Sequence, residues 1–320
     1  MASHELVLRA EACDGAMRSL LAVRCLTLAA ALGLLATACA SGPLAKSPAA
    51  QEKPAALWYV SVGDSYAAGY QPTGAHSGHT GTNGFAYQVP ALAAKKGWNL
   101  RLMNFACGGA TSASILTSPG CRLLGPGATP YPGETQAAAA ESFLRSHRGS
   151  VGLVTVSIGG NDVTACAAAA APLACVEEAV KNIARNLGAL LRGLRAAAGP
   201  SVRIVGTTYP DVILGLYVSH QPSLRHLAEL SVVAFRDFIN PALETTYRAH
   251  SAAFVDVTAA TGAYGSLQRT TVVAPYGRLP LPVARVCELT YFCQYHDIHP
   301  RTAGYAIIAK LIVATLPEHR

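Results

Sequence analysis

Four residues of this 320-residue chain have the types used in nucleophilic catalysis, and each lies in a motif of small and polar residues. They are Ser65 in Gly-Asp-Ser, Gly109 in Cys-Gly-Gly-Ala-Thr, Asn161 in Gly-Gly-Asn-Asp, and His299 in Asp-Ile-His-Pro. A serine hydroxyl is a weak nucleophile until a nearby base, usually histidine, accepts its proton. Amide groups can stabilise the oxyanion that forms when the serine attacks a carbonyl. Together these residue types indicate serine-dependent acyl chemistry, although each motif alone also suits an ordinary turn or helix cap.

Three of these motifs follow short apolar runs that we predict to be β-strands. Runs that are apolar throughout are typical of parallel strands covered by helices on both faces. In such folds the functional loops lie at the carboxyl ends of the strands, so we expect the site at that edge of the sheet. The five predicted strands are Leu57–Val62, Asn99–Asn104, Val151–Ile158, Val202–Thr207 and Ala253–Val257.

The segments between the strands have the periodicity of helices. Val176–Leu194 repeats apolar residues at a spacing of about 3.6 and is followed by Gly199, which is typical of a helix end. Pro222–Arg248 is predicted to be a second helix, bent or broken at Pro241, and Ala303–Leu316 a third. The alternation of strands and helices predicts an α/β fold, a three-layer α/β/α sandwich.

The order of the four motifs resembles that of the SGNH/GDSL hydrolase family, over about residues 55–317. Its signature serine, glycine, asparagine and histidine match Ser65, Gly109, Asn161 and His299. The resemblance extends to the actinobacterial secreted lipase/esterase branch, whose members share an Ala-Cys-x-Gly-Ala-Thr second block and six locally paired cysteines. It implies a five-stranded parallel flavodoxin-like sheet and ester hydrolysis that uses no cofactor and no metal.

The chemistry of an oxyanion hole agrees with this resemblance. The backbone amides of Ser65 and Gly109 and the side-chain amide of Asn161 are the expected donors to the oxyanion. The neighbouring carboxylates, Asp64 and Asp162, are expected to hold the loops through hydrogen bonds to nearby amides.

The acid that orients the histidine departs from the family pattern. Family members usually have an aspartate three residues before the histidine, where this chain has His296. Asp297 lies two residues before His299, and residues two apart in an extended segment point to the same side. We expect Asp297 to be the third triad member. The alternative is a backbone carbonyl that orients the imidazole.

The same segment offers a metal site as an alternative. Cys287, Cys293, His296 and His299 have a spacing that could ligate zinc. Cysteines of an exported protein more often form disulfides, so we favour no metal here.

Six cysteines lie in the body of the chain, and an even number in an exported protein indicates disulfides. Neighbours along the chain are expected to pair, although other pairings and free buried thiols stay open. The expected pairs are Cys107 with Cys121, Cys166 with Cys175, and Cys287 with Cys293.

The first 54 residues have the composition of an export leader and a tether. Residues 1–38 are predicted to be a signal peptide, with Met17 as an alternative start. Small residues before Cys39 resemble a lipoprotein signal, so we expect Cys39 to be lipidated and to form a membrane tether; ordinary signal cleavage is the alternative. Residues 39–54 would then be a flexible tether and residues 55–320 the hydrolase domain.

The net charge of +7 comes from scattered Lys and Arg residues without a basic stripe, so we expect no nucleic-acid partner. We expect a monomer that is either an envelope lipoprotein or secreted.

The expected substrate is a small-molecule or lipid ester of short to medium acyl chain. Tyr209–Tyr217 and Ala263–Pro282 are apolar and are predicted to form the acyl pocket. Two other functions stay open: acyl transfer to an acceptor other than water, and a cell-surface binding protein that has kept the fold without the activity.

Overall fold

The computed structural model describes residues 55–219 and 221–319, and its centre is a five-stranded parallel sheet. The order across this sheet is β4-β1-β5-β6-β7, which is the flavodoxin-like order and confirms the predicted fold class. Two antiparallel hairpins, β2-β3 and β8-β9, lie outside it. The strands are β1 (Leu57–Gly63), β2 (Tyr70–Gly74), β3 (Ser77–Thr80), β4 (Leu100–Asn104), β5 (Val151–Ser157), β6 (Arg203–Thr207), β7 (Ala253–Val255), β8 (Thr270–Val273) and β9 (Gly277–Pro280).

Helices cover both faces of the sheet. The second helix packs against the last on one face, and the fourth, sixth and eighth pack together on the other, which gives three layers. The helices are α1 (Ser65–Ala68), α2 (Phe85–Ala93), α3 (Ser114–Thr117), α4 (Gln136–Ser146), α5 (Gly160–Thr164), α6 (Pro172–Ala198), α7 (Pro222–Val233), α8 (Asn240–Ala249), α9 (Val257–Ala260), α10 (Leu281–Leu289), α11 (Phe292–Tyr295) and α12 (Thr302–Ala314).

The strand predictions agree with the structure to within a few residues. All seven residues of β5 are buried, as expected for a central strand with helices on both sides. The largest difference is at β7, which ends at Val255 rather than at Val257. There Asp256 accepts a hydrogen bond from the backbone amide of Ala259 and starts α9, so the chain turns helical two residues early.

The predicted helix over Val176–Leu194 is the central part of α6. Pro172 occupies its first turn, where a missing backbone N–H costs nothing, and Gly199 ends it in a conformation with a φ of 92°. The apolar stripe lies against the sheet and α4, and its buried residues include Ile183, Leu187 and Leu191.

The predicted bend near Pro241 is a π-helical segment, Ala234–Ile239, between α7 and α8. In a regular α-helix the ring of Pro241 would clash with the carbonyl of Asp237 and leave it without a donor. A widened turn just before the proline relieves this clash, and the chain continues as helix on the far side.

Three disulfides join neighbouring cysteines, in the same three pairs as expected from the sequence. They are Cys107–Cys121, Cys166–Cys175 and Cys287–Cys293. Within residues 55–219 and 221–319, no helix combines the length and apolar character needed to cross a membrane. The predicted signal peptide, tether and lipidated Cys39 lie outside the described residues.

Candidate active site

Ser65 is the first residue of α1, directly after β1, and only 7% of its surface is exposed. Asp64 caps the helix, because its Oδ1 accepts a hydrogen bond of 3.0 Å from the amide of Tyr66. The turn depends on Gly63, whose φ is 149° and whose missing Cβ would lie 2.2 Å from the carbonyl oxygen of Ser157. The backbone amide of Ser65 has no acceptor within its own helix, as for any first helical residue, and so it is available to a substrate.

A buried glutamine holds this turn from α4. The backbone amide of Gly63 donates to Gln136 Oε1 at 2.6 Å, and Gln136 Nε2 donates to the carbonyl of Gly63 at 3.0 Å. No sequence pattern indicates this contact, because Gln136 lies 73 residues further along the chain in an alanine-rich segment. Both backbone groups of Gly63 are thereby satisfied without water.

His299 lies between Ser65 and Asp297. Its Nε2 is 2.7 Å from Ser65 Oγ, and its Nδ1 is 2.7 Å from Asp297 Oδ1. The same carboxylate oxygen accepts a hydrogen bond of 2.9 Å from the backbone amide of His299. Burial tends to raise the pKa of Asp297, but the hydrogen bonds and charge of His299 outweigh this and lower it below its usual value. Asp297 is thus kept ionised beside the imidazole.

His296 does not join this group. Its backbone has a φ of 53°, its side chain is exposed, and its ring contacts Phe292 edge-on. The carboxylate of Asp297, and not the residue at the family's usual position, contacts His299 Nδ1.

Aromatic residues fix the loop that carries the histidine. The hydroxyl of Tyr66 donates to the carbonyl of Ile298 at 2.5 Å, and the ring of Tyr70 lies 4.4 Å from the imidazole of His299, centre to centre. The disulfide between Cys287 and Cys293 closes the preceding segment. Since these two sulfurs are bonded to each other, they are not available as thiolate ligands for the zinc alternative.

The loops of the expected oxyanion hole are tied to each other. Asn161 Nδ2 donates to the carbonyl of Ala110 at 2.7 Å, which brings its amide next to Gly109. Asp162 accepts hydrogen bonds from the backbone amide and the hydroxyl of Ser112, at 2.9 and 2.6 Å. Gly109 has a φ of 81°, which disfavours any other residue there, although a Cβ would meet no atom within 4 Å.

Asp64 is buried, and its carboxylate accepts hydrogen bonds that join α1 to the loop after β6, in agreement with its expected structural role. The hydroxyl of Tyr209 donates to its Oδ2 at 2.6 Å. Burial raises the pKa of Asp64 to about 6, although the hydrogen bonds from Tyr209 and Tyr66 oppose this.

A largely apolar cavity that is open to solvent adjoins Ser65. The prediction that Tyr209–Tyr217 borders it agrees with the structure, since Tyr209, Val212 and Ile213 line the cavity. The prediction for Ala263–Pro282 is wrong. That segment forms the β8-β9 hairpin, and its apolar residues pack into a separate core with α10 and the 3-10 helix Ile213–Val218.

A further buried acid, Asp211, lies behind the cavity wall, next to the lining residue Ser231. Asp211 accepts hydrogen bonds from Ser231 Oγ at 2.9 Å and from the amide of Leu214 at 3.2 Å, and so it joins α7 to the Ile213–Val218 helix. Burial raises the pKa of Asp211 to about 7, with the two hydrogen bonds opposing the shift.

A family model and several solved structures are similar to this chain. The model of the GDSL-like lipase/acylhydrolase family matches residues 61–307, which is most of the chain. Among solved structures, the acetylxylan esterase Axe2 from Geobacillus stearothermophilus is 15% identical, with a TM-score of 0.45 over 82% of this chain and 96% of that one. An aryl esterase from M. smegmatis is 13% identical, with a TM-score of 0.41 over 81% and 100%. No curated protein matches the chain.

Proposed function

The chain belongs to the GDSL-like lipase/acylhydrolase family and is a carboxylic ester hydrolase, and on this premise we propose that Ser65 is its nucleophile and His299 its general base. The observation that carries this proposal is the pair of hydrogen bonds of 2.7 Å on either side of the His299 ring, to Ser65 and to Asp297. Both distances lie within the reach that proton transfer requires.

In the proposed acylation, Ser65 Oγ attacks the ester carbonyl while His299 Nε2 accepts its proton. Asp297 holds the proton on Nδ1, so that Nε2 is free to act as the base, and it stabilises the imidazolium that forms. The imidazolium then protonates the leaving alcohol, and an acyl-enzyme on Ser65 remains. Water activated by His299 hydrolyses this intermediate and regenerates the serine.

The oxyanion of each tetrahedral intermediate is proposed to lie among three donors: the amides of Ser65 and Gly109 and the side chain of Asn161. The hydrogen bond from Asn161 to Ala110 supports this, since it fixes the amide of Asn161 beside the loop of Gly109 before substrate binds. Donors fixed in advance need not reorganise as the charge develops.

Ser65→Ala tests the proposal directly. We expect kcat for p-nitrophenyl butyrate to fall by a factor on the order of 10³ or more, because only the oxyanion donors and binding remain. Ser223→Ala, an exposed serine in α7, is the matched control and should keep wild-type turnover. Equal turnover by Ser65→Ala and wild type would contradict the assignment. Adding an alcohol acceptor to the same assay would reveal any acyl transfer as a new ester product.

Export is a further part of the proposal. The three disulfides suit an oxidising compartment, and residues 1–38 have the composition of a signal peptide. Lipidation of Cys39 would tether the domain to the envelope through residues 39–54. Metabolic labelling with a palmitate analogue tests this, with Cys39→Ala as the control. Labelling of the wild type alone supports the tether, and an unlabelled wild type refutes it.

A further inference from the structure

We propose that the cavity beside Ser65 binds the acyl chain of the ester, so that the enzyme prefers acyl chains several carbons longer than acetyl. This inference rests on the proposed function of Ser65 and adds to it the class of substrate. The cavity is named the acyl cavity below.

The acyl cavity begins at the reacting groups and continues into apolar walls. Ser65 and Asn161 both line it, so a carbonyl carbon bound at Ser65 Oγ adjoins the cavity. Much of the remaining wall comes from the start of α6, from α7 and from the π-helical segment. Their apolar lining residues include Leu173, Val176, Leu230, Phe235 and Ile239.

The polar side chains of the deeper walls already have partners inside the protein. Thr164 Oγ1 donates to the carbonyl of Gly160 at 2.7 Å, and Ser231 Oγ lies within hydrogen-bond distance of Asp211 at 2.9 Å. Tyr209 donates to Asp64. A sugar ring or a charged headgroup placed here would lose its hydrogen bonds to water and gain few in return. The alcohol part of the ester therefore lies outside the acyl cavity.

An alkyl chain, by contrast, loses no hydrogen bonds when it moves from water into the acyl cavity. Each methylene moved from water into apolar surroundings contributes up to about fourfold in binding. Wherever this binding is kept in the transition state, kcat/KM rises with chain length until the cavity is full. An acetyl group has only one methyl group to bury, so it gains little from apolar walls.

Two small residues leave room in these walls. Ala167 lies in the 3-10 helix Ala165–Ala168, which the disulfide between Cys166 and Cys175 ties to α6, and Ala234 opens the π-helical segment. Ala167 and Ala234 both line the acyl cavity. Ala168, the next residue after Ala167, is exposed and does not line it. Ala167 and Ala168 therefore form a matched pair for a test.

The experiment measures kcat/KM for p-nitrophenyl acetate, butyrate and octanoate, below the concentration at which the octanoate ester aggregates. Wild type is expected to favour octanoate over acetate by at least about tenfold. Ala167→Phe should lower this octanoate-to-acetate ratio by about tenfold or more, because the ring occupies the space of the chain. Ala168→Phe should keep the wild-type ratio. Thermal unfolding of each variant shows whether it is folded.

A second variant tests the proposal independently, in case Ala167→Phe does not fold. Leu230→Ala widens the cavity and should raise the ratio of dodecanoate to octanoate by about threefold or more. A wild-type ratio of octanoate to acetate near one would overturn the proposal, as would an equal change in Ala167→Phe and Ala168→Phe. Ser65→Ala distinguishes a failure of the proposed function from a failure of the acyl cavity. If this variant turns over none of the esters while wild type hydrolyses all chain lengths equally well, the proposed function stands and the acyl cavity does not.

Discussion

Asp297→Asn is expected to reduce turnover strongly while the fold is preserved. Asp297 Oδ1 accepts two hydrogen bonds from His299, one from Nδ1 at 2.7 Å and one from the backbone amide at 2.9 Å. Asparagine has nearly the same shape, but only one of its two terminal atoms accepts. With its oxygen in the place of Oδ1 it keeps both bonds but lacks the negative charge that stabilises the imidazolium. With its amide nitrogen there it donates to Nδ1 and moves the imidazole proton to Nε2, where it blocks the transfer from Ser65.

Either arrangement lowers kcat. With Nε2 protonated, or with no carboxylate to stabilise the imidazolium, His299 is a much poorer base, and kcat should fall by a factor on the order of 10²–10⁴. KM should change little, because Asp297 does not line the cavity that adjoins Ser65. The assay is steady-state hydrolysis of p-nitrophenyl butyrate at constant pH, with thermal unfolding measured in parallel.

His296→Asn is the matched control, one residue away. His296 is exposed and has a φ of 53°, which asparagine tolerates better than most residues, so this variant should keep wild-type kcat. Turnover of Asp297→Asn within a few-fold of wild type would refute the assignment and favour orientation of His299 by a backbone carbonyl. A large loss of kcat in His296→Asn would show that turnover depends on the conformation of the loop rather than on the carboxylate of Asp297.

Three further predictions concern the groups around the triad. Asn161→Ala should lower kcat by a factor on the order of 10²–10³ with a smaller effect on KM, measured on the butyrate ester, because one donor to the oxyanion is lost. Gln136→Ala should lower the free energy of unfolding by about 1–3 kcal/mol, measured by urea denaturation, because the buried amide of Gly63 loses its partner, while its carbonyl keeps the bond from the Cys107 amide. Asp211→Asn should make the free energy of unfolding less dependent on pH between about 4 and 7, measured by urea denaturation at several pH values.

The sign of the last effect follows from the raised pKa of Asp211, which is about 7 in the folded protein. The folded state holds a proton that the unfolded state releases, so the contribution to stability is complete below the unfolded pKa and is lost as pH rises through about 7. A steeper pH dependence in Asp211→Asn than in wild type would contradict this.

The other two predictions also have controls. For Gln136→Ala the control is Gln268→Ala, an exposed glutamine whose loss should change stability by less than about 0.5 kcal/mol. Equal effects of the two would show that the contact with Gly63 is not stabilising. Asn161→Asp keeps the shape and replaces the donor by a carboxylate. If it is as active as wild type, Asn161 is no oxyanion donor.

The strands of the sheet were predictable because parallel strands are apolar throughout and the motifs mark their carboxyl ends, whereas the flavodoxin-like order came only from the resemblance to the family. The central part of α6 was predictable for a similar reason, since its stripe has the helical period. The π-helical segment was foreseen only as a bend at Pro241, because a proline shows where a helix must change but not how the chain accommodates it. The β2-β3 and β8-β9 hairpins were missed, since such short, partly exposed strands have no buried apolar run.

The site was predictable to the extent that its residues lie in local motifs. Asp297 could be placed beside His299 because two residues in one extended segment share a side. Gln136 could not be found, because its partner is fixed only by the tertiary fold. Of the two segments predicted to line the acyl cavity, only Tyr209–Tyr217 does so. Apolar composition cannot distinguish a segment that lines a cavity from one that packs into a core, and Ala263–Pro282 packs into a core.

The central claim, that Ser65 is the nucleophile activated by His299, is tested most directly by covalent labelling. The protein is treated with a p-nitrophenyl phosphonate ester, which phosphonylates an activated serine, and the adduct is located by mass spectrometry of its peptides. We predict one adduct per chain, on the peptide that contains Ser65, with none in Ser65→Ala and much slower labelling in His299→Ala. An adduct on another residue, or equal labelling of wild type and Ser65→Ala, would contradict the claim.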